Sequence, residues 1–439
     1  MSKRNRQTLL VVARAVAVFL ENDCFRLPKK NRSSPKDYDP YFQCKRLTWD
    51  QHLQSCCSIG NFEVYYHMSP ADFDELYNLC GDRFETCPIK AKCATHMGPV
   101  EGRVKLACCL RILFGEKPKS LSQIFHVSIP SVKLAFVQGI EAIVSCKDLH
   151  FGGTPSHDTC NNLARGFRSR SNYPDVFAHC VSAVDGLAIR VTCPKNEPNQ
   201  RAFYSGHKKF YCLNLQAACD SSCSFTHFAL NCPGSANDLL AYKLSQMSVD
   251  FSALPKPFWV AGDNAYPDAD HLITPFPCAA PTSKEDTFNF YLSQLRITIE
   301  RAFGILVTVF GILQSPMKFN IPFTVQIVQA CLRIHNFRIR QCCQPPRRSA
   351  CINYDTNTDA RDLLMNDARY QTEPVAATPR LVAIQVARQT ADNGGSTLRR
   401  EAMVCVLKEV GGERPVGNIA RMARLAEIER RHADPTQQL

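Results

Sequence analysis

Nowhere among the 439 residues is there an uninterrupted apolar run long enough to cross a bilayer. The best candidate, Leu9–Leu20, is broken by Arg14 and falls well short of the roughly 20 residues a spanning helix needs. It follows the basic stretch Lys3–Arg6 as a secretory leader would, but the interrupting arginine suits a packed amphipathic helix better. No membrane partner is expected. Also missing are a Gly-x-Ser-x-Gly elbow and a Walker-type Gly-Lys-Ser/Thr loop. Both absences weigh against one reading of the chain, an α/β hydrolytic enzyme of either kind. No internal repeat stands out.

A disulfide framework is lacking too, although cysteine is plentiful. The count of 23 is odd, three are adjacent pairs, and Cys109, Cys180, Cys212 and Cys219 sit inside apolar patterns. Such usage fits small buried thiols in a reducing compartment. Cys80, Cys87, Cys93 and His96 have zinc-ligand chemistry, but their spacing matches no common zinc module.

What is present is a large apolar fraction, 45%, enough for a sizeable core. The formal charge is +12, and from Gln344 onward 14 basic residues stand against 12 acidic ones. Nearly all the excess therefore belongs to residues 1–343. A polyanion partner fits this balance, and so does a merely soluble basic protein.

Periodicity divides the chain. Residues 1–60 read as one helix and a polar connector around Arg26–Pro40. Residues 61–147 are helical: Ser69 and Pro70 start one helix, and Gly102–Gly115 forms another. Ser120–Val127, a turn at Ser128–Ser131 and a helix from Val132 then give a helix-turn-helix outline. A base-reading helix and a purely structural hairpin both fit that outline. Its second helix offers Lys133 and Gln138 as DNA contacts, and Lys117 and Lys119 just upstream are candidate phosphate contacts. Residues 148–177 read as a linker carrying Arg165, Arg168 and Arg170.

Within 178–343 the period changes to two. Strands are expected at Cys180–Thr192, Phe210–Cys219, Ser224–Asn231, Phe258–Gly262 and Leu272–Phe276. Helices are expected from Asp238 to Met247, over Phe288–Gln314 and over Ile321–Arg340. A hairpin-built part joined to a strand reached through a helical crossover makes an α/β mixed sheet with flanking helices. Residues 344–439 read as a largely flexible tail with one helix at Thr397–Glu409.

Three carboxylates stand out against this frame. Asp185 and Asp263 each close an apolar strand, and Glu300 lies in the long helix. A charge at the end of a buried strand must find compensation, and a divalent cation shared by the three supplies it. Asp238 opens the helix after Asn237, where the helix dipole alone would favour it. Metal ligand and dipole partner are both open readings for it. Asp220 sits in a hairpin turn and reads as structural. Lys208 and Lys209 fit phosphate contacts or a solvated loop pair, and Arg301 fits a phosphate or a surface ion pair.

Five segments occur in a fixed order: Val184-Asp185-Gly186, Pro233–Asp238, Gly262–Pro267, Leu272–Pro275 and Ile299–Gly304. Together with Phe203–Phe210 they resemble the DDE domain of Harbinger-type transposases and of the nucleases derived from them. The resemblance implies an RNase H-like fold preceded by an all-α, helix-turn-helix-like region. It also implies cleavage of DNA with Mg²⁺ or Mn²⁺ at Asp185, Asp263 and Glu300, with Asp238 as a further ligand. A nuclear setting, a Myb-like DNA-binding partner and a homo-oligomer come from the same source. This chain departs from the family where Ile305–Phe310 carries no lysine or arginine, and where Gly186 is followed by Leu187 and Ala188. The competing expectation is a catalytically silent relative acting as a nuclear DNA- or protein-binding scaffold.

Overall fold

The computed structural model describes residues 45–84, 98–195, 197–343 and 396–415. The expected Leu9–Leu20 helix, its connector, Cys87, Cys93, His96 and most of the tail lie outside these residues.

Among the described residues six helices come first: α1 (Trp49–Ser58), α2 (Phe62–Tyr66), α3 (Pro70–Cys80), α4 (Gly102–Leu113), α5 (Pro118–Phe125) and α6 (Ile129–Ser145). Thr48 with Gln51 and Ser69 with Asp72 form capping boxes on α1 and α3, and Pro70 takes the first helical position of α3. One glycine here lies at a contact between two helices. A Cβ on Gly139 of α6 would lie 2.4 Å from Cys109 Cβ and 2.5 Å from its Sγ, so α4 and α6 meet only because the methyl is absent. Gly139→Ala is expected to lower the melting temperature by several degrees. The clash, at about 1–3 kcal/mol or more, outweighs the roughly 1 kcal/mol of helix propensity that alanine adds. An unchanged or higher melting temperature would show that α4 can slide away.

Next comes α7 (His157–Arg168), where the sequence reading has only linker. Ser156 caps it by accepting from the Thr159 N–H, and just Cys160, Ala164 and Phe167 are buried. A stripe that narrow, interrupted by Asn161, Asn162 and Gly166, hides the helical period.

The sheet and its helices follow as β1 (Cys180–Arg190), β2 (Tyr204–Ser205), β3 (Phe210–Cys219), β4 (Phe225–Pro233), α8 (Asp238–Lys243), α9 (Gln246–Ser252), β5 (Trp259–Ala261), β6 (Leu272–Ile273), α10 (Lys284–Val309), α11 (Ile321–Cys343) and α12 (Ser396–Glu409). The helix expected from Asp238 to Met247 is split at Ser245, whose backbone is extended and whose hydroxyl donates to Tyr242 O at 2.6 Å. Strand order is β4–β3–β1–β5–β6, with β2 also on β3. β1 and β4 run antiparallel to β3, while β1, β5 and β6 are parallel. This is the mixed sheet that the hairpin-plus-crossover pattern predicts.

Alternation sorts the strands onto two faces. Ala183, Ala217, Ala261 and Ile273 join the core under α10 and α11, whereas Val184, Ala218, Val260 and Leu272 join the one under α7, α8 and α9. The first of these cores is continuous with the N-terminal helices and runs from Trp49 to Leu407. Helix α11 is the shared element. Arg333 donates to Ile143 O and Cys146 O at 3.1 and 2.8 Å, Arg338 to His67 O at 2.7 Å, and Gln341 to Glu75 at 2.9 Å. Every cysteine among the described residues is a free thiol, and Cys109, Cys180, Cys212 and Cys219 are buried. No single described helix is long and apolar enough to cross a membrane.

Candidate active site

Asp185 lies mid-way along β1, opposite Ala217 of β3, and alternation points it toward the α10 face. Asp263 follows β5, the parallel neighbour of β1, two residues beyond Ala261. Glu300 comes from α10, which packs across β1 and β3. Two adjacent strand positions and one overlying helix thus gather the three expected carboxylates.

Burial is the first cause that lifts the Asp185 acid to about 6, and the neighbouring Asp263 and Glu300 carboxylates push it further up. The Gly186 N–H and the Arg296 guanidinium pull the other way. Each aspartate commits one oxygen to backbone: Asp185 Oδ1 accepts from Gly186 N and Asp263 Oδ1 from Ala265 N, both at 2.8 Å. Among the described residues no three His, Cys, Asp or Glu side chains stand close enough together to hold a metal ion as placed. The donor set is nonetheless all carboxylate oxygen, from two half-buried aspartates and an exposed glutamate that repel one another, which is what a hard divalent cation needs. On that chemistry the residues present fit Mg²⁺ or Mn²⁺.

Asp238 stands apart. As the first residue of α8 it follows the Asn237 cap, as the dipole reading expects. Its Oδ1 accepts from Gln216 Nε2 at 2.8 Å and Asn214 Nδ2 at 3.1 Å, and a Cβ on Gly186 would sit 2.4 Å from it. Asp238 therefore packs over Gly186, on the opposite side of β1 from Asp185. Gln216 also accepts from the Tyr266 hydroxyl at 2.5 Å, so Tyr266, Gln216 and Asp238 form a chain under the loop of Asp263. Burial, and then the carboxylates Asp185, Asp238 and Asp263, hold the Tyr266 phenol well above its usual range.

Sequence reasoning missed the role of Tyr266 and Gln216, and missed Arg296 entirely. Arg296 sits one turn before Glu300 on α10, and its Nε is buried without a hydrogen-bond partner. The one available signal was the i, i+4 spacing that brings it to the same helix face.

The basic candidates scatter. Lys117 and Lys119 are exposed at the start of α5. Lys208 and Lys209 are exposed in the β2–β3 turn, roughly 25 Å along β3 from the residue facing Asp185. Arg165 and Arg168 lie on the outer side of α7, and Arg168 pairs with Asp175 at 3.0 Å. Arg170 faces Asp220 and Arg301; burial and then Arg301 lower its pKa. Asp220 is structural as read, its Oδ1 accepting from Ser222 N and Ser224 N at 2.8 and 2.9 Å. Lys133 corrects the expectation: it is only 5% exposed, with burial depressing its pKa. The outline around it is right, since α5 and α6 cross at 108°. But α6 packs on α4, α5 and α11 and leaves only Pro130 and Leu134 exposed, so it is a core helix and offers no groove-reading face here.

Residues 184–336 match the DDE superfamily endonuclease family. A curated relative, Protein ALP1-like of Arabidopsis thaliana, is 24% identical over 301 residues, which cover 63% of this chain and 70% of the relative. No solved structure matches. The matched segment begins one residue before Asp185 and ends within α11, so it takes in every carboxylate of the site and all of the sheet except the first four residues of β1. The matched segment and the five ordered Harbinger-type motifs coincide, so residues 184–336 are similar, motif by motif, to a DDE superfamily endonuclease domain.

Proposed function

We propose that the chain is a divalent-metal-dependent DNA nuclease of transposase descent, with Asp185, Asp263 and Glu300 holding Mg²⁺ or Mn²⁺. The observation that carries this reading is the convergence of three carboxylates from β1, the end of β5 and α10, with the Asp185 acid raised to about 6 by burial and by the other two. Such a raised acid marks a site that stores repulsion until a cation arrives.

When bound, a pair of divalent cations can activate water and steady the leaving oxygen of a phosphodiester. The chain's own residues have separate tasks. Gly186 N and Ala265 N each fix one oxygen of an aspartate and so aim the other. The chain from Tyr266 through Gln216 to Asp238 braces the loop behind Asp263. Asp238 is an orienting residue in this reading, not a direct ligand. Arg296 places a positive charge beside the carboxylates, where it partly relieves them before cation and phosphate enter. Lys117, Lys119, Arg165, Lys208 and Lys209 are the exposed cations for backbone contact. The nucleus, a Myb-like partner and self-association belong to this proposal through the Harbinger resemblance alone.

The test is nicking of supercoiled plasmid with Mn²⁺ by purified protein, beside Asp263→Asn, with calorimetry reading the metal. Wild type should bind Mn²⁺ and nick, and the variant should lose both by about 100-fold or more. Tight DNA binding with neither metal binding nor nicking in the wild type would overturn the reading in favour of a scaffold.

A further inference from the structure

Helix α12 lies outside the matched segment, yet two consecutive arginines near its start grip the loop that carries Asp263. Arg399 donates Nη1 to Asp270 O and Nη2 to Pro257 O, the latter at 2.9 Å. Arg400 donates Nη1 to Thr274 O at 3.2 Å and Pro275 O at 3.3 Å, and its Nη2 is 3.5 Å from the Asp268 carboxylate. Its guanidinium also lies 4.0 Å over the Phe276 ring. Both arginines are nearly buried, at 8% and 9% exposure. The carbonyls entering β5 and those on the far arm of the Asp263 loop thus converge on two adjacent guanidinium groups.

The loop needs outside support. Its base is β5, three residues long, and β6, two residues long, joined over just two residue pairs. Strands that short contribute few ladder bonds. Asp263 itself adds only local bonds within the turn to Ala265 and Tyr266. Two planar guanidinium forks, each spanning two carbonyls, supply what the ladder lacks, and lysine could not reproduce that geometry. The same C-terminal segment also anchors on α10, the helix of Glu300. Arg414 pairs with Asp286, and the Tyr291 hydroxyl donates to Glu413 O at 2.8 Å. One segment therefore ties together the elements that bring Asp263 and Glu300.

We infer that Arg399 and Arg400 are positioning residues that hold Asp263 in register with Asp185, and that residues 396–415 are an integral clasp of the site. This rests on the metal-centre reading above. It is tested with Arg399→Ala/Arg400→Ala and Arg399→Lys/Arg400→Lys in the full chain.

Hydrogen exchange of the metal-free protein is read first. In the alanine variant, amides between Asp263 and Pro275 should exchange about tenfold faster or more, while β1 and β3 keep wild-type protection. The lysine variant should recover part of that loss. Calorimetry should show Mn²⁺ binding weakened by about tenfold or more, and nicking should lose kcat with KM for DNA unchanged. Loop exchange at the wild-type rate in the alanine variant would overturn the inference, as would a loss of protection spread evenly over β1 and β3. Failure of wild type to bind Mn²⁺ would sink the metal reading alone, because exchange still decides the clasp. If the double variant does not fold, Arg399→Gln removes the Asp270–Pro257 bridge by itself and carries the same comparison.

Discussion

Asp185→Asn is expected to stabilise the metal-free protein at neutral pH while destroying its response to metal. Raising the acid from its ordinary 3.8 to about 6 means that the ionised form is disfavoured in the folded state by on the order of 3 kcal/mol. Asparagine keeps an Oδ1 for the Gly186 N–H, so the substitution removes the repulsion from Asp263 and Glu300 and leaves that bond in place. The attraction to Arg296 is already included in that figure. A rise in melting temperature of several degrees in EDTA at pH 7.5 is the expected reading.

The sign of the pH dependence follows from the direction of the shift. A group whose folded pKa lies above its unfolded one favours the fold fully below the unfolded value, and that contribution is lost as pH rises through the folded value. Wild type should therefore lose stability relative to Asp185→Asn between about pH 4 and pH 7, and the two should converge near pH 4. Saturating Mn²⁺ should invert the order. Wild type gains about 4.1 kcal/mol at a metal concentration 1,000 times Kd, more than the roughly 3 kcal/mol by which it trails, and the variant gains little. A variant less stable than wild type at every pH would mean that the carboxylate serves the fold. Equal Mn²⁺ shifts in both proteins would place the cation elsewhere.

Much of this was legible in the sequence because the relevant signals are local. Strand alternation exposed β1, β3 and β4, the 3.6-residue period exposed α10 and α11, and a carboxylate ending an apolar strand is visible as an anomaly without any structure. What stayed hidden depends on tertiary placement. Asp185 and Gly186 are neighbours in sequence but face opposite sides of the sheet, and only the fold shows that Asp238 packs over Gly186. Arg296, Gln216 and Tyr266 carry no mark of their own until helix and strands are brought together. Lys133 misleads for a related reason. The sequence shows a lysine on a helix, but α4 and α11 cover both flanks of that helix, and only the fold reveals it. The arginines of α12 are the extreme case, since they contact residues more than a hundred positions away.

Arg333→Ala is expected to lower stability by about 3–5 kcal/mol and to do so across the whole described protein at once. Arg333 is 4% exposed on α11, and its two bonds satisfy carbonyls at the C-terminal end of α6, where a cation also meets the negative end of the helix dipole. Alanine leaves those carbonyls buried and unpaired and opens a cavity between the helices. The chain's two tryptophans decide whether the damage is shared, since Trp49 reports from α1 and Trp259 from β5. Both belong to one continuous core. Denaturant unfolding of the single-tryptophan proteins made by Trp49→Phe and Trp259→Phe should therefore give coincident transitions, and Arg333→Ala should move both to lower denaturant together. If Trp49 alone moved, the N-terminal helices would be a separate folding unit docked on the nuclease fold. Coincidence would instead mean that α6, which has the outline of a DNA-reading helix, now serves as a buried wall of the domain whose strands carry the carboxylates.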